Sequence, residues 1–336
     1  MGSMRGRLSR RTAVRSAVAG AIGLGMDRWR PAGAQDAPDA TPVSATRVIA
    51  HPLGVAEVPV HPERVVAIGS AVDIAAVTGV VPVGIDDRSA NSAYLASFME
   101  GIPTVGSSWE LDLEKIVALK PDLILALDVV IESVYDQLVE IAPTVGVDFV
   151  ASSNEWKTYN HGFAEALGQE AAFAEAMAAY EEKAGRLRTA IDTQLGEPKV
   201  AILRATPENL RFDLTGIFMG SLVFGDAGLA LPPALAAYDA ENPDAAILEI
   251  SREQLGMADG ADVIFVWSVS GDPEADQQAI AAMLADPLLG QLDAVRNGRV
   301  YAMGDHWFSE SVLGASMMLD DLERVLLTGA ATPVAS

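Results

Sequence analysis

The amino-acid sequence predicts an α/β protein with two Rossmann-like lobes, each built on a mostly parallel sheet, joined by one long helix. Three observations lead to this prediction. The chain has 336 residues, which is enough for two domains. Short apolar runs of the kind found in buried parallel strands alternate with helical patterns in both halves. Between the halves lies one long helical segment, residues 170–195.

The segment 170–195 has the pattern of an amphipathic helix. The apolar residues that recur on one face are Phe173, Met177, Tyr180, Ala184, Leu187 and Ile191. Gly196 then predicts the end of the helix. At about 1.5 Å per residue, the helix would be roughly 39 Å long, about the size of a domain. We therefore predict a rigid linking helix at 169–196, between an N-terminal lobe, 47–168, and a C-terminal lobe, 197–336.

Composition restricts the possible functions. Half of the residues are hydrophobic, so the chain can bury a large core. A formal net charge of −23 argues against nucleic acid and against anionic lipid as partners. The sequence contains no cysteine, which excludes thiol nucleophiles, cysteine-ligated metals, disulfides and a lipid-modified cysteine.

Residues 1–34 have the composition of a secretory signal peptide. Arginines precede an apolar run of small residues, 16–26, that is too short to span a membrane, and an A-x-A cleavage site follows. Arg10 and Arg11 stand where a twin-arginine signal has its arginine pair. We predict a protein that is exported to the periplasm or another extracytoplasmic space, is not lipid-anchored, and starts with a flexible lead-in, 35–46.

The N-terminal lobe is predicted to begin with a β-hairpin and to continue with alternating strands and helices, which turn residues such as Gly79 and Pro121 separate. Its predicted strands are 47–50 and 55–60 in the hairpin, then 64–68, 80–85, 103–106, 123–127 and 144–147. Its predicted helices are 71–78, 93–99, 111–118, 134–140 and 156–167.

The C-terminal lobe is predicted to repeat this plan. Its predicted strands are 199–203, 261–267 and 299–302. Its predicted helices begin near 219, 250, 276 and 314.

Three segments, in this order, carry a family resemblance: 59–84 (PVHPERVVAIGSAVDIAAVTGVVPVG), 113–125 (LEKIVALKPDLIL) and 286–301 (DPLLGQLDAVRNGRVY). They resemble the periplasmic binding proteins for iron–siderophores and cobalamin, which are the substrate-binding components of ABC importers. The resemblance covers roughly residues 47–327.

This resemblance implies a cleft between the lobes, with the ligand held by loops at the C-terminal ends of the strands, as the general rule for open α/β sheets also predicts. It further implies that an acidic residue near the first helix of each lobe docks onto arginines of the membrane permease. Asp73 stands at this position in the N-terminal lobe. In the C-terminal lobe, Gly225 stands at the matching position and Asp226 lies beside it.

A ferric siderophore is a bulky, polar and partly aromatic chelate, so its binder needs flat apolar walls and cationic donors for the anionic oxygens around iron. Arginine provides planar, multiple hydrogen bonds and stacks on rings. Several arginines, tryptophans and one histidine are predicted close to strand ends, where the cleft should lie. The candidate ligand-binding residues are Arg88, Trp109, Arg204, Arg211, Trp267, His306 and Trp307.

The sequence offers little support for an enzyme or for a bare-metal site. The common hydrolase, zinc-protease, phosphate-loop and dinucleotide motifs are missing after the signal segment. A zinc or manganese binder would need three histidines and a carboxylate. Of the four histidines, His51 and His61 are predicted in or next to the N-terminal hairpin, away from the cleft.

We therefore expect a monomeric, non-enzymatic binding protein without a cofactor that carries a ferric siderophore to an ABC permease. Cobalamin or haem is the alternative ligand within the same family, and a metal-chelate enzyme on the same scaffold is the alternative from another class. A continuous helix resists hinge bending, so the lobes should close little on binding.

Overall fold

A computed structural model describes residues 45–149, 156–206, 209–270 and 272–329. These residues belong to one compact unit. The predicted signal peptide, 1–34, and most of the lead-in lie outside the described residues.

The N-terminal lobe contains an antiparallel hairpin and, within the described ranges, a four-stranded sheet in which all strands are parallel. The strands are β1 Thr46–His51, β2 Gly54–Pro59, β3 Val65–Ala67, β4 Gly84–Ile85, β5 Gly106–Ser107, β6 Glu110–Leu111, β7 Leu123–Leu127 and β8 Thr144–Val147. The helices are α1 Ser70–Thr78, α2 Asp87–Ala90, α3 Ala96–Met99, α4 Leu113–Leu119, α5 Asp128–Ile131, α6 Tyr135–Val139 and α7 Trp156–Leu167. The sheet order is β4-β3-β7-β8, and β5 and β6 form a second small hairpin.

The apolar runs of this lobe explain its strands. Residues 123–126 of β7 are fully buried, because helices cover both faces of a parallel sheet and leave no exposed side for polar alternation. The turn from α4 into β7 contains Lys120 with a φ of 49°, one residue before Pro121. The predicted helix end therefore falls at the expected proline, with an αL residue at the C-cap.

The helix that links the lobes is α8, Glu170–Gln194, a single α-helix of 25 residues. Its length is about 38 Å at 1.5 Å per residue. Its buried residues are Phe173, Tyr180, Ala184, Leu187 and Ile191, which all belong to the predicted apolar face. This face packs on α1 and α7, and on a helix of the C-terminal lobe, 312–323. The long helix is thus part of the main core and not an isolated surface element.

The C-terminal lobe contains, among the described residues, a mixed sheet of five strands in the order β11-β10-β9-β12-β13. The strands are β9 Val200–Ala205, β10 Leu210–Asp213, β11 Ile247–Ile250, β12 Val263–Trp267 and β13 Val300–Ala302. The helices are α9 Phe218–Gly220, α10 Pro233–Glu241, α11 Pro273–Leu284, α12 Asp293–Arg296 and α13 Val312–Glu323.

In this sheet β9, β12 and β13 are parallel, as predicted, whereas β10 is antiparallel to both β9 and β11. The sequence prediction misses β10 and β11. Both are four residues long, and Arg211 and Glu249 interrupt their apolar pattern. The segment predicted to begin a helix at 250 instead ends β11, and a 3-10 helix, Arg252–Ala258, follows.

Gly220 marks a close approach of two backbone segments at the start of the C-terminal lobe's first helical turn. A Cβ atom at this position would overlap the carbonyl oxygen of Leu214, which directly follows β10. We expect Gly220→Ala to lower the free energy of unfolding by about 1 to 3 kcal/mol, because the backbone must move to accept the methyl group. Urea unfolding followed by circular dichroism measures this change.

Gly225 provides the control, because it lies in the next turn and a Cβ there meets no heavy atom within 4 Å. Gly225→Ala should change the stability by less than about 1 kcal/mol. Equal destabilisation by both substitutions would contradict a specific contact at Gly220.

Candidate ligand-binding site

A cavity of about 290 Å³ lies between the two lobes. The N-terminal lobe contributes side chains that follow β3 and β4, and the C-terminal lobe contributes side chains that follow β12 and β13, together with α11. Residues that line the cavity include Gly69, Asp73, Arg88, Tyr94, Ser268, Asp276, Met303 and Asp305. All four strands end at the cavity with their carboxyl ends, where open α/β sheets bind their ligands.

Asp86 holds the loops on the N-terminal side of the cavity. Its buried carboxylate accepts hydrogen bonds from Gly69 N at 2.9 Å, Ser89 Oγ at 2.6 Å and Ser108 Oγ at 2.7 Å. These partners follow β3, β4 and β5, so one carboxylate fixes three strand ends. Trp109 follows Ser108 directly and its side chain is 77% exposed. Trp109 is therefore held at the same edge, but it does not line the cavity.

On the C-terminal side, two arginines and a tryptophan lie in one row across three neighbouring strands. Arg211 of β10 is directly opposite Arg204 of β9, and Arg204 is in turn opposite Trp267 of β12. Partners in register leave the same face of a sheet, so these three side chains meet. The guanidinium Cζ of Arg204 lies 4.6 Å from the centre of the Trp267 ring, and that of Arg211 lies 5.9 Å from it.

Arg88 joins this row from the other lobe. Its Cζ lies 4.2 Å from the centre of the Phe308 ring, and the Cζ of Arg204 lies 5.4 Å from the same ring. Arg204 also donates from Nη2 to the carbonyl oxygen of Val269, a cavity-lining residue, at 2.7 Å. Arg88, Arg204 and Arg211, here called the arginine cluster, thus converge on two aromatic rings next to the cavity, and Arg88 is the one of the three that lines it. Phe308 is not among the predicted residues, although it directly follows Trp307.

The arginine cluster carries an electrostatic cost. Like charges directly opposite each other on paired strands are destabilising. Burial, and next the nearby Arg211 charge, lower the pKa of Arg204. Its Nε is buried without a hydrogen-bond partner in the described part of the chain. A row of cations with unused donors is suited to an anionic ligand that would complete its hydrogen bonds.

Asp213, two residues after Arg211 on the same strand, partly offsets this charge. Its side chain is fully buried, and its Oδ2 accepts a hydrogen bond of 2.7 Å from the indole N–H of Trp267. Its Oδ1 lies 3.2 Å from Arg211 Nε in an ion pair that lacks hydrogen-bond geometry. Burial raises the pKa of Asp213 to about 6, against the opposing influence of Arg211, Trp267 and Arg204.

Asp73 joins the two lobes beneath the cavity. Its carboxylate is 4% exposed and accepts hydrogen bonds from Tyr94 at 2.7 Å, Ser309 at 2.6 Å and Ser311 at 2.9 Å. Ser311 is also the N-cap residue of α13. This differs from the expectation that Asp73 docks onto a permease: the first turn of α1 faces the start of α13, the carboxylate is almost fully buried, and all three hydrogen bonds go to its Oδ1. Burial is the largest influence on Asp73 and raises its pKa, whereas the three hydroxyls lower it.

Asp226, the other predicted docking residue, is also engaged inside the chain. It accepts a hydrogen bond of 2.6 Å from Tyr180 of α8 and lies 3.2 Å from Lys157 of α7. Its side chain is 29% exposed. Asp226 therefore fastens the turn after α9 to the two central helices, which leaves its carboxylate little freedom to bind a second protein. Gly225 beside it is exposed.

His306 and Trp307 point into the C-terminal lobe instead of into the cavity, which differs from the prediction. Trp307 is fully buried against Phe265, with ring centres 5.1 Å apart. His306 Nε2 and Trp307 Nε1 lie 2.7 Å and 2.9 Å from Oδ2 of Asp321. This buried pair anchors a short 3-10 helix, Asp305–Phe308. Asp305 at one end of this helix lines the cavity, and Phe308 at the other end lies beside Arg88, whereas His306 and Trp307 in its middle face the lobe.

A second contact between the lobes lies at the cavity, which Asp305 also lines. Asp305 accepts hydrogen bonds from Ser92 Oγ at 2.7 Å and from Ala93 N at 2.9 Å. Because Ser92 and Ala93 belong to the N-terminal lobe, the cavity is framed by two carboxylates, Asp73 and Asp305, that each bind the other lobe.

The described residues contain neither a metal-binding cluster nor a membrane-spanning helix. Within them, no group of three or more histidine and acidic side chains is placed to hold a metal ion. His51 lies beside Tyr135 and His161 beside Phe173, so these two histidines have separate surroundings. None of the described helices combines the length and the apolar character needed to cross a membrane.

The fold and the site together define a two-lobed α/β binding protein with its ligand site in the cleft between the lobes. The family model for periplasmic binding proteins matches residues 65–306. The chain belongs to this family.

Relatives with assigned ligands share most of their length with this chain. The achromobactin-binding periplasmic protein of Dickeya dadantii is 30% identical over 79% of this chain and 86% of its own length. A probable siderophore-binding lipoprotein of Bacillus subtilis is 27% identical over 84% of this chain and 89% of its own length. The crystal structure of Staphylococcus aureus SirA complexed with staphyloferrin B superimposes with a TM-score of 0.69 at 26% identity, over 84% of this chain and 98% of that one.

The buried carboxylate of Asp73 leads to a prediction about stability. Asp73→Ala leaves Tyr94, Ser309 and Ser311 without their shared acceptor, so we expect it to lower the free energy of unfolding by about 2 to 4 kcal/mol. Thermal or urea unfolding of the purified protein provides the measurement. Glu114→Ala is the matched control, because Glu114 also lies in the first turn of a helix but is exposed. The control should change stability by less than about 0.5 kcal/mol. Equal stabilities of the two variants would show that Asp73 does not join the lobes.

Proposed function

We propose that this protein binds a ferric siderophore in the cleft between its lobes and delivers it to the membrane permease of an ABC importer. The observation that carries this proposal is the arginine cluster: Arg88 from one lobe and Arg204 and Arg211 from the other meet at two aromatic rings beside the cavity. The assigned ligands of the relatives support the same class of cargo.

The chemistry of the cluster suits an iron chelate. The oxygens around ferric iron carry negative charge, and guanidinium groups bind such oxygens with charge-assisted, often paired hydrogen bonds. The whole chain is strongly acidic, with a net charge of −23, so attraction for an anion must come from a local arrangement. The arginine cluster provides it. The aromatic and apolar part of the chelate would lie against the apolar cavity residues, such as Leu95, Val269, Ile280 and Met303.

A ligand titration tests the proposal directly. Trp267 lies beneath Arg204, so we expect ferric siderophores to quench the tryptophan fluorescence of the purified protein at sub-micromolar concentration. The panel should contain hydroxamate, catecholate and carboxylate types, ferric citrate, haem, cobalamin and Zn²⁺. If the protein binds only cobalamin or only haem, that compound is its ligand. If it binds only Zn²⁺, the protein is a metal-ion carrier. Failure of every iron chelate to bind would contradict the proposal.

Substitutions in the arginine cluster provide the second test. Arg88→Gln and Arg204→Gln should each weaken binding of the preferred chelate by about 10- to 100-fold, because each removes a cation that faces the ligand. Arg186→Gln is the control, since Arg186 is an exposed arginine of α8 that pairs with Glu182. If all three variants bind equally well, the ligand does not use the cluster.

Delivery to the permease requires a docking surface other than the predicted aspartates. Asp73 is enclosed and Asp226 is paired with Tyr180 and Lys157, so we propose that other exposed acidic residues of the two lobes make the contact. The protein would act as a monomer and by binding alone, without a chemical step.

We also propose that residues 1–34 export the protein through the twin-arginine route and that it is not anchored by a lipid on cysteine, since the sequence has none. Replacing Arg10 and Arg11 together with lysine should reduce the exported fraction strongly, because that route is selective for the arginine pair. Cell fractionation with immunodetection measures the exported fraction. As a control, Arg5 and Arg7 can be replaced by lysine, which preserves charge and should leave export unchanged. Equal export of both double variants would indicate a general secretion signal.

A further inference from the structure

Asp213 is a buried acidic residue in contact with the arginine cluster. It ends β10, two residues after Arg211, so both side chains leave the same face of the sheet. It has no solvent exposure. A carboxylate placed under cations that are meant for an anion works against that anion, so its presence there requires a reason.

Charged and titratable groups face Asp213 from several elements. Arg211 lies on its own strand, Arg204 lies on β9, and the indole N–H of Trp267 comes from β12. Beyond these, Asp276 of α11 and Arg88 of the N-terminal lobe act on Arg204. Asp213 is thus in contact with two of the side chains that form the platform of the site, Trp267 and Arg211.

The balance of charge changes when a ligand binds. In the empty cleft, an ionised Asp213 offsets part of the repulsion within the arginine cluster. Once an anion lies on the arginines, Asp213 becomes a nearby like charge, and its neutral form is favoured. If ligand binding raises the proton affinity of Asp213, then protonation of Asp213 must raise the affinity for the ligand by the same factor, because the two binding equilibria are linked.

We propose that Asp213 is a positioning residue that holds Trp267 and Arg211 in place and that its negative charge limits the affinity of the arginine cluster for an anionic chelate at neutral pH. This inference rests on the proposed function, since it takes the ligand to be an anionic ferric chelate. Because the pKa of Asp213 is raised to about 6, its carboxylate is ionised well above pH 6 and takes up a proton as the pH falls towards about 6. Affinity should therefore increase as the solution becomes more acidic.

Asp213→Asn separates charge from shape. The amide oxygen can still accept the hydrogen bond of the Trp267 indole, but the negative charge is gone. At about pH 7.5 we expect this variant to bind ferric citrate, and the tightest ferric siderophore of the panel, about 3- to 10-fold more tightly than the wild type. At about pH 5.5 the two proteins should bind alike, because Asp213 is then largely protonated. Since both proteins meet the same chelate at each pH, protonation of the ligand itself cancels in the comparison.

Glu241→Gln is the charge control, because Glu241 is an exposed residue at the end of α10 in the same lobe. It removes one negative charge from an exposed side chain and should leave the affinity unchanged at both pH values. If Asp213→Asn fails to fold, Asp213→Ser also removes the negative charge and carries the same expectation for the affinity. Parallel pH profiles of wild type and variant, or weaker binding by Asp213→Asn at every pH, would overturn the proposal.

A second measurement needs no ligand. The emission of Trp267 should change with a midpoint near pH 6 in the wild type, because its hydrogen-bond acceptor titrates there, and Asp213→Asn should lack this transition. Any transition of the other tryptophans should appear in both proteins alike. If no ferric chelate binds at all, the proposed function fails, whereas the emission titration still decides whether Asp213 and Trp267 are coupled. An identical titration in both proteins would refute that coupling.

Discussion

The contact between Asp73 and the start of α13 is the interaction on which the binding site depends. The linking helix α8 sets how far apart the lobes can lie, but a helix alone does not fix their orientation. Asp73 helps to fix it, together with Asp305, because its partners Ser309 and Ser311 lie 236 and 238 residues further along the chain. A buried carboxylate is costly without hydrogen-bond donors, so orientations of the lobes that separate Asp73 from Ser309 and Ser311 are disfavoured. The cavity above it and the position of Phe308 under Arg88 follow from that orientation.

The arginine cluster lowers the stability of the fold but is suited to bind an anion. Arg204 and Arg211 face each other on paired strands, and the buried Nε of Arg204 is left without a hydrogen-bond partner among the described residues. Trp267 and Phe308 provide flat surfaces on which the guanidinium groups stack, and Asp213 offsets part of their repulsion. Such a group of cations would be a defect in a purely structural region. At the carboxyl ends of strands, between two lobes, it is suited to bind negative charge.

The sequence predicts the parts of this arrangement that depend on local patterns. The linking helix is readable from its apolar face. Arg88, Arg204, Arg211 and Trp267 are readable as residues at or near strand ends, and the structure does bring them together. The parts that depend on distant partners are not readable. Asp73 looks like a surface helix residue until Ser309 and Ser311 are placed beside it. The sequence does not show that Phe308, and not the adjacent Trp307, lies beside Arg88, because a single turn of 3-10 helix determines the directions of the two rings. Asp213 has no sequence signal, because the strand that carries it is short and interrupted by Arg211.

The position of Asp213 also bears on how a protein that holds an anion can release it again. Long-range attraction from the whole chain is absent at a net charge of −23, so affinity must come from contacts within a few ångströms, where solvent screening is weak. Contacts of that kind bind tightly and release slowly, which is a disadvantage for a carrier that must hand over its cargo. A buried carboxylate that opposes the anion lowers the affinity without exposing the site or altering its shape. Asp213, held against both Trp267 and Arg211, is placed to make that adjustment.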